Sequence, residues 1–299
     1  MRVGILGGGQ WGQALARLVL AAGHEPFIAY RDNRPPPFLA SSDKPHEVSA
    51  AARLLIAATS AQELRGAIQL AKPGPEHRVV VAGRGCEPKT GKWLTRVVCE
   101  ESPVLRVGAL AGPASIAEIL ADGFCAGVVA SPYEEVRSLT QAALHSDRYR
   151  LYDTGDLVGV ELAGALVPVL ASLVGLVDAM PGSGIGLRAL VVARGMAEGG
   201  RLARAVGGRP DTLTGLAGWG DLFASQCRPG QPSWEAGRAL AAGHTHERNS
   251  QAAGVLLAMA DRHGVDLPLT RAWVSMQGGA DPVDTVHQLM RRASTQEHL

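Results

Sequence analysis

The sequence lacks the features that announce several common kinds of protein. Its 29 Lys and Arg nearly balance 28 Asp and Glu, for a formal charge of +1 and a pI near 7.8. A chain so balanced has no basic footprint for nucleic acid or an anionic membrane, and neither is expected as a partner. The four cysteines, Cys86, Cys99, Cys125 and Cys227, form no CxxC pair and no Cys/His cluster at metal-ligand spacing. That usage argues against a disulfide framework or a metal site and for reduced thiols in a cytoplasmic protein. No apolar run reaches the roughly 20 residues of a membrane span. The longest, Leu162–Val177, lies between Glu161 and Asp178, contains Pro168, and is expected to be a buried helix. The first apolar residues, Val3, Ile5 and Leu6, break into Gly7-Gly8-Gly9, which is too early for a secretory signal. Lysine is scarce: Lys44, Lys72, Lys89 and Lys92 are the only ones.

What is present is enough for two cores. The chain has 299 residues, 46% hydrophobic and 19% charged, which suits two globular domains of about 150 residues each. Up to about residue 155, short apolar runs alternate with helical patterns. Arg2–Leu6, Pro26–Tyr30, Arg53–Ala58, His77–Ala82 and Val104–Leu110 read as strands, and Trp11–Ala22 and Ser60–Leu70 as helices. The polar, proline-rich stretch from Arg34 to about His46 reads as a loop. Such alternation predicts an α/β domain with a doubly wound parallel sheet of Rossmann type. Beyond Asp156 the pattern turns helical: Leu162–Met180, Leu187–Val206 and Gln251–His263 are long helices between Gly-rich turns. The expected domains are therefore 1–155, binding a dinucleotide, and 156–299, all-helical and carrying substrate or dimer contacts.

Gly7-Gly8-Gly9-Gln10-Trp11-Gly12 satisfies G-x-G-x-x-G between the first strand and the first helix. Gly7 permits the tight turn, Gly9 lets backbone approach a pyrophosphate, and Gly12 lets the helix pack on the strand. Free N–H groups of Gln10 and Trp11 then face the anion at the positive helix end. After the second strand the chain reads Tyr30-Arg31-Asp32. Arg31, helped by Arg34, favours the 2′-phosphate of NADP; Asp32 in its place would favour NAD. The sequence leans slightly to NADP.

Five segments occur in one order along nearly the whole chain: GGGQWGQA (Gly7–Ala14), LAGPASIAE (Leu110–Glu118), GVELAGAL (Gly159–Leu166), RALVVARGMAE (Arg188–Glu198) and GLAGWGDL (Gly215–Leu222). Together they resemble the NAD(P)-dependent glycerol-3-phosphate dehydrogenases. The resemblance implies a Rossmann domain, a helical C-terminal domain, a substrate cleft between them, and hydride exchange with a small phosphorylated triose.

It also exposes departures. The family's first active-site lysine, in a Lys-Gly pair, is here Arg84-Gly85. Its second, in a Lys-Asn pair, is Val167-Pro168, and no lysine follows Lys92 to take its place. The Arg-Asn pair of the phosphate clamp falls at Pro232-Ser233, with Arg228 and Arg238 nearby. The Asp-Asn before Arg188 becomes Ile185-Gly186, and a later glutamate becomes Ala253. Valine cannot protonate an oxygen, and burying a phosphate among such residues would be costly.

Asp221, Ser225 and Arg84 remain as candidates for the chemistry. Asp221 is either a base or orienting carboxylate, or a helix N-cap. Ser225 follows it by one helical turn. Arg84 is too basic to donate a proton, so it either polarises a carbonyl or holds the cofactor, or is structural. Glu161, in an apolar helix start, needs a partner, expected to be an ion pair. His244 and His246 read as a solvated pair, His145 as surface, and Cys227 lacks a base. The reading is an NAD(P)H-dependent oxidoreductase acting on a small carbonyl, imine or alcohol and inefficient on dihydroxyacetone phosphate. An inactive nucleotide-binding relative with a sensing role is the alternative. The apolar helix Leu162–Val177 would permit a homodimer.

Overall fold

The computed structural model describes residues 1–31, 35, 37–226, 230–244 and 249–291. They divide into two compact units, Met1–Glu161 and Leu162–Leu299, with the division falling inside one long helix.

The first unit alternates β1 (Arg2–Leu6), α1 (Gln10–Ala21), β2 (Glu25–Ala29), β3 (Ser41–Ser42), α2 (Pro45–Ala50), β4 (Leu54–Ala57), α3 (Leu64–Ala71), β5 (Arg78–Val81), α4 (Leu94–Glu101), β6 (Arg106–Ala111), α5 (Ile116–Leu120), β7 (Cys125–Ala130), α6 (Glu134–Leu144) and β8 (Tyr149–Thr154). The strands form one sheet in the order β3-β2-β1-β4-β5-β6-β7-β8. Val3, Ile5, Leu54, Ile56 and Val80 face one core beneath α1, while Leu55, Val79 and Val81 face a second beneath α3 and α4. Strands apolar on both faces are what a sheet covered by helices on both sides demands.

The sheet departs from the expected all-parallel arrangement at one junction. β6 and β7 are antiparallel, so β7 and β8, parallel to each other, run against the first six strands. The short α5 turns the chain back where the other connections cross over the sheet. The pattern reading also passed over β3, a two-residue edge strand in the expected loop, and α2, which a proline opens at Pro45. β7 is built mostly of small residues, and in β8 buried Tyr149 and Leu151 alternate with exposed Arg150 and Tyr152, as on an edge strand.

The second unit, among the described residues, is helical: α7 (Leu157–Ala179, beginning in the first unit), α8 (Ile185–Ala205), α9 (Pro210–Thr214), a π-helical turn (Leu216–Gly220), α10 (Asp221–Gln226), α11 (Pro232–Ala241), α12 (Ser250–His263), α13 (Pro268–Gln277) and α14 (Pro282–Met290). α7 starts before its apolar run because Asp156 accepts a hydrogen bond from the Gly159 N–H at 2.9 Å, capping the first turn. By length and composition α7 would pass for a membrane span, yet 83% of its most apolar stretch is buried within the protein. Leu162, Leu166, Val169, Leu170 and Val174 are all fully buried, each contributing about 1.5–3 kcal/mol of burial. Its apolar side chains are covered within the protein, as expected of a buried helix, so α7 itself offers no apolar face to a second copy. Neighbouring helices approach it closely: a Cβ on Gly237 of α11 would lie 1.8 Å from the Ser172 carbonyl oxygen.

Candidate functional site

The glycine turn is shaped by what surrounds it. Gly7 has φ +126°, a conformation side chains rarely adopt, and a Cβ there would lie 2.8 Å from the Ala58 oxygen. Its N–H donates to Ala29 O at 3.1 Å. Gly8 abuts Tyr30, and a Cβ on Gly12 would sit 1.8 Å from Gly7 O. At Gly9, by contrast, a Cβ would meet nothing within 4 Å. That open side is where the 12-residue α1 begins, and its N-cap, Gly9, supplies no side-chain acceptor for the first-turn N–H groups. An extended N-cap glycine ahead of a helix N-terminus, with no acidic residue in the first turn, suits a pyrophosphate. The residues present fit a dinucleotide.

The flanking side chains have distinct tasks. The Trp11 indole donates to Ala82 O at 2.8 Å, tying α1 to the end of β5, so it is the backbone of Trp11 that is available to an anion. Gln13 Nε2 donates to Gly8 O at 2.9 Å and stiffens the turn. Arg31, exposed at the end of β2, donates through Nη2 to Glu63 Oε1 at 2.6 Å, and Ser60 Oγ donates to Glu63 Oε2 at 2.8 Å. Asp32 and Arg34 lie outside the described residues.

Arg84 follows β5 on an exposed turn and donates to Gly112 O at 3.3 Å, linking the ends of β5 and β6. Its loop is held from behind. Arg65 grips Glu87 through two bonds of 2.6 and 2.7 Å and also binds Glu101, fastening the loop to α3 and α4. Glu161 completes the support. Its Oε1 accepts from the Thr95 N–H at 3.0 Å and its Oε2 from Thr95 Oγ1 at 2.8 Å. The partner expected to be a cation is thus the N-terminus of α4, capped by a carboxylate from another helix. The backbone dipole end does the work of a positive charge. Burial nevertheless pushes the Glu161 carboxyl up to about 7 against these hydrogen bonds. Burial, then the nearby Glu161 charge, pushes the Cys86 thiol up to about 12, which keeps it inert.

The second unit repeats the device with a residue the sequence reading missed. Glu198 of α8 accepts from the Leu269 N–H at 2.8 Å and the Thr270 N–H at 3.4 Å, capping α13. Burial raises its carboxyl to about 7 as well. A lone carboxylate in the apolar run of RALVVARGMAE was the available signal.

Asp221 is buried and opens α10 directly after the π-helical turn. Ser225 lies on the same helix, but its side chain, like all of Cys227, Arg228 and His246, lies outside the described residues. His244 is exposed, and no group of three His, Cys, Asp or Glu placed to hold a metal occurs among the described residues. His145 is also exposed, and its Nδ1 accepts from the Leu151 N–H at 3.2 Å.

Where the resemblance places a Lys-Asn pair, Val167 is fully buried and Pro168 breaks the α7 ladder. The Pro168 carbonyl accepts from Ser172 Oγ at 3.1 Å and from Asn249 Nδ2 at 2.9 Å. Asn249, in the left-handed region at φ +65°, also reaches Ser172 Oγ and Ser233 Oγ at 2.9 and 3.1 Å. The neighbouring Asp178 is held by Arg188 at 3.2 Å and by Trp234 Nε1 at 2.9 Å, with Arg238 stacked 4.7 Å above the Trp234 ring.

A sheet with this order, a glycine cradle at its first turn and a following helical unit define a nicotinamide-dinucleotide-dependent oxidoreductase class. The comparisons narrow it. Residues 31–137 match the family described as NAD-dependent glycerol-3-phosphate dehydrogenase N-terminus, and residues 156–288 its C-terminus. The chain is 34% identical to the glycerol-3-phosphate dehydrogenase [NAD(P)+] of Janthinobacterium sp. (strain Marseille), over 99% of each chain. It is 35% identical to that of Aromatoleum aromaticum, over 99% of this chain and 100% of the relative. The crystal structure of glycerol-3-phosphate dehydrogenase from Coxiella burnetii superposes with a TM-score of 0.85 at 25% identity, covering 97% of this chain and 99% of that one. A ketopantoate reductase structure from Ralstonia eutropha, at 15% identity and TM-score 0.62, shares the fold alone. The chain belongs to the NAD-dependent glycerol-3-phosphate dehydrogenase family and is an NAD(P)-dependent enzyme of that type.

Proposed function

We propose that this family member transfers hydride between nicotinamide and a small carbonyl, imine or alcohol that carries no phosphate dianion, and that it uses dihydroxyacetone phosphate poorly. The observation that carries this reading is Val167: an apolar side chain, fully buried, stands where the resemblance places an ammonium. The remaining lysines offer no substitute, since Lys92 is paired with Glu100 at 2.7 Å and Lys89 is exposed. A carbonyl oxygen gaining hydride needs a proton or a polarising charge, and general acids contribute about 10²–10⁴-fold.

Bound nicotinamide supplies the hydride. Gly7, Gly9 and Gly12 let the backbone of Gln10 and Trp11 hold the pyrophosphate, and Arg31 lies at the adenosine ribose. Arg84, whose guanidinium stays charged, polarises the substrate oxygen or holds the cofactor. Asp221 orients the substrate or exchanges its proton, with Ser225 one turn further along. Reduced thiols suit a cytoplasmic setting, and a second copy of the chain would have to dock on a surface other than α7.

A screen of unphosphorylated ketones, imines and hydroxy acids with each cofactor tests this reading. Hydride consumption or release with at least one of them is expected, followed at 340 nm. Cofactor binding without turnover of any substrate would favour the inert, sensing alternative.

A further inference from the structure

The ion pair between Arg31 and Glu63 spans the glycine turn. Gly8 is wedged against Tyr30 at the end of β2, and Gly7 against Ala58 at the end of β4. Arg31 is the residue after Tyr30, and Glu63 follows Ser60 in the turn after β4. Their side chains meet at 2.6 Å, joining the two strand ends that flank the turn. In this sheet class the end of β2 meets the adenosine ribose, where an acid selects the free 2′-hydroxyl and an arginine the 2′-phosphate. Here an arginine follows β2, and a glutamate from the turn after β4 is paired with it.

We propose that Glu63 is the specificity-determining residue for the cofactor, and that it selects NAD over NADP. This rests on the family's dinucleotide dependence and goes beyond it. A 2′-phosphate brings about −1.5 to −2 charges to a position where a carboxylate already occupies the guanidinium. To bind, it must take Arg31 from Glu63 and then sit beside an uncompensated negative group. The 2′-hydroxyl of NAD has the opposite relation: it can donate to Glu63 without breaking the pair. Ser60, donating to the second oxygen at 2.8 Å, fixes the carboxylate in place. Hydrogen bonds from Ser60 and Arg31 also lower the Glu63 carboxyl below its ordinary range, so it is charged at neutral pH. Arg31 alone would favour NADP; with Glu63 beside it the preference reverses. Because both side chains are partly exposed, the discrimination is moderate and shrinks in high salt.

The test is fluorescence titration of the full chain with NADH and with NADPH, which needs no substrate. The wild type is expected to bind NADH more tightly. Glu63→Gln should tighten NADPH about tenfold, leave NADH within about threefold, and lose the NADPH gain when Arg31→Ala is added. Both positions are exposed, so a melting curve matching the wild type confirms that the variants fold. An unchanged ratio of the two affinities in Glu63→Gln, or weaker NADPH binding, overturns the proposal while leaving the enzyme's class intact. Failure of both dinucleotides to bind the wild type overturns the dinucleotide reading as well.

Discussion

The two units have treated their polar machinery differently. In the first, the groups that would hold an anion are backbone N–H groups at the start of α1, fixed by glycines whose replacement would collide with Gly7 O or Ala58 O. In the second, the positions where the resemblance places the family's lysine and its neighbours would act through side chains, and on our proposal they are Val167, Pro168 and Ser233. A backbone site persists as long as the glycines do, whereas a side-chain site is rewritten one substitution at a time. One polar cluster of the second unit is structural: Asn249 knots Pro168, Ser172 and Ser233 together.

The sharpest way to break this comparison is at the cradle. Gly12→Ala places a Cβ 1.8 Å from Gly7 O, and overpacking of this kind costs about 1–3 kcal/mol. Dinucleotide affinity should fall about 100-fold by fluorescence titration, with melting of the second unit unaltered.

Next come the two buried carboxylates, one in each unit. Glu161→Ala and Glu198→Ala each strand donors at a buried helix N-terminus, at a cost of about 2–3 kcal/mol by denaturant unfolding. Both carboxyls sit near 7 when folded, against 4.5 for the free group. The folded protein therefore holds protons that the unfolded chain releases between those values. Stability should be fullest below about pH 4.5 as far as these groups are concerned, and should decline as pH rises through 7. The loss is on the order of 3 kcal/mol for each. Glu161→Gln with Glu198→Gln should flatten that slope; a slope unchanged in the double variant would mean neither carboxyl is shifted.

A smaller effect sharpens the contrast from the other side. Asn249→Ala should lower stability by about 1–2 kcal/mol and leave NADH affinity unchanged, as expected of a knot that has become structural. Weaker cofactor binding in that variant would contradict the division of labour between the units.

Much of this was legible in the sequence, for identifiable reasons. The glycine spacing and the apolar strands around it are local patterns, and β1, α1, β4 and β5 fall within a residue or two of expectation. β7 was missed because its small residues leave weak periodicity. Glu161 was singled out as needing a partner, but the partner is a helix end 66 residues away in sequence, which no spacing rule predicts. Asn249 bonds across 81 residues, and only the fold brings it to Pro168. Glu63 lay in a predicted helix, Ser60–Leu70, that begins only at Leu64; the residue falls in the preceding turn, where it reaches Arg31.

The central claim is that no ammonium serves the reacting oxygen and that the phosphorylated triose is no longer the preferred substrate. It is tested most directly by the steady-state kcat/KM for dihydroxyacetone phosphate with NADH and with NADPH. Little or no cofactor oxidation is expected, with kcat/KM at least about 100-fold below that for the best unphosphorylated substrate. Saturable, efficient turnover of dihydroxyacetone phosphate would contradict the account.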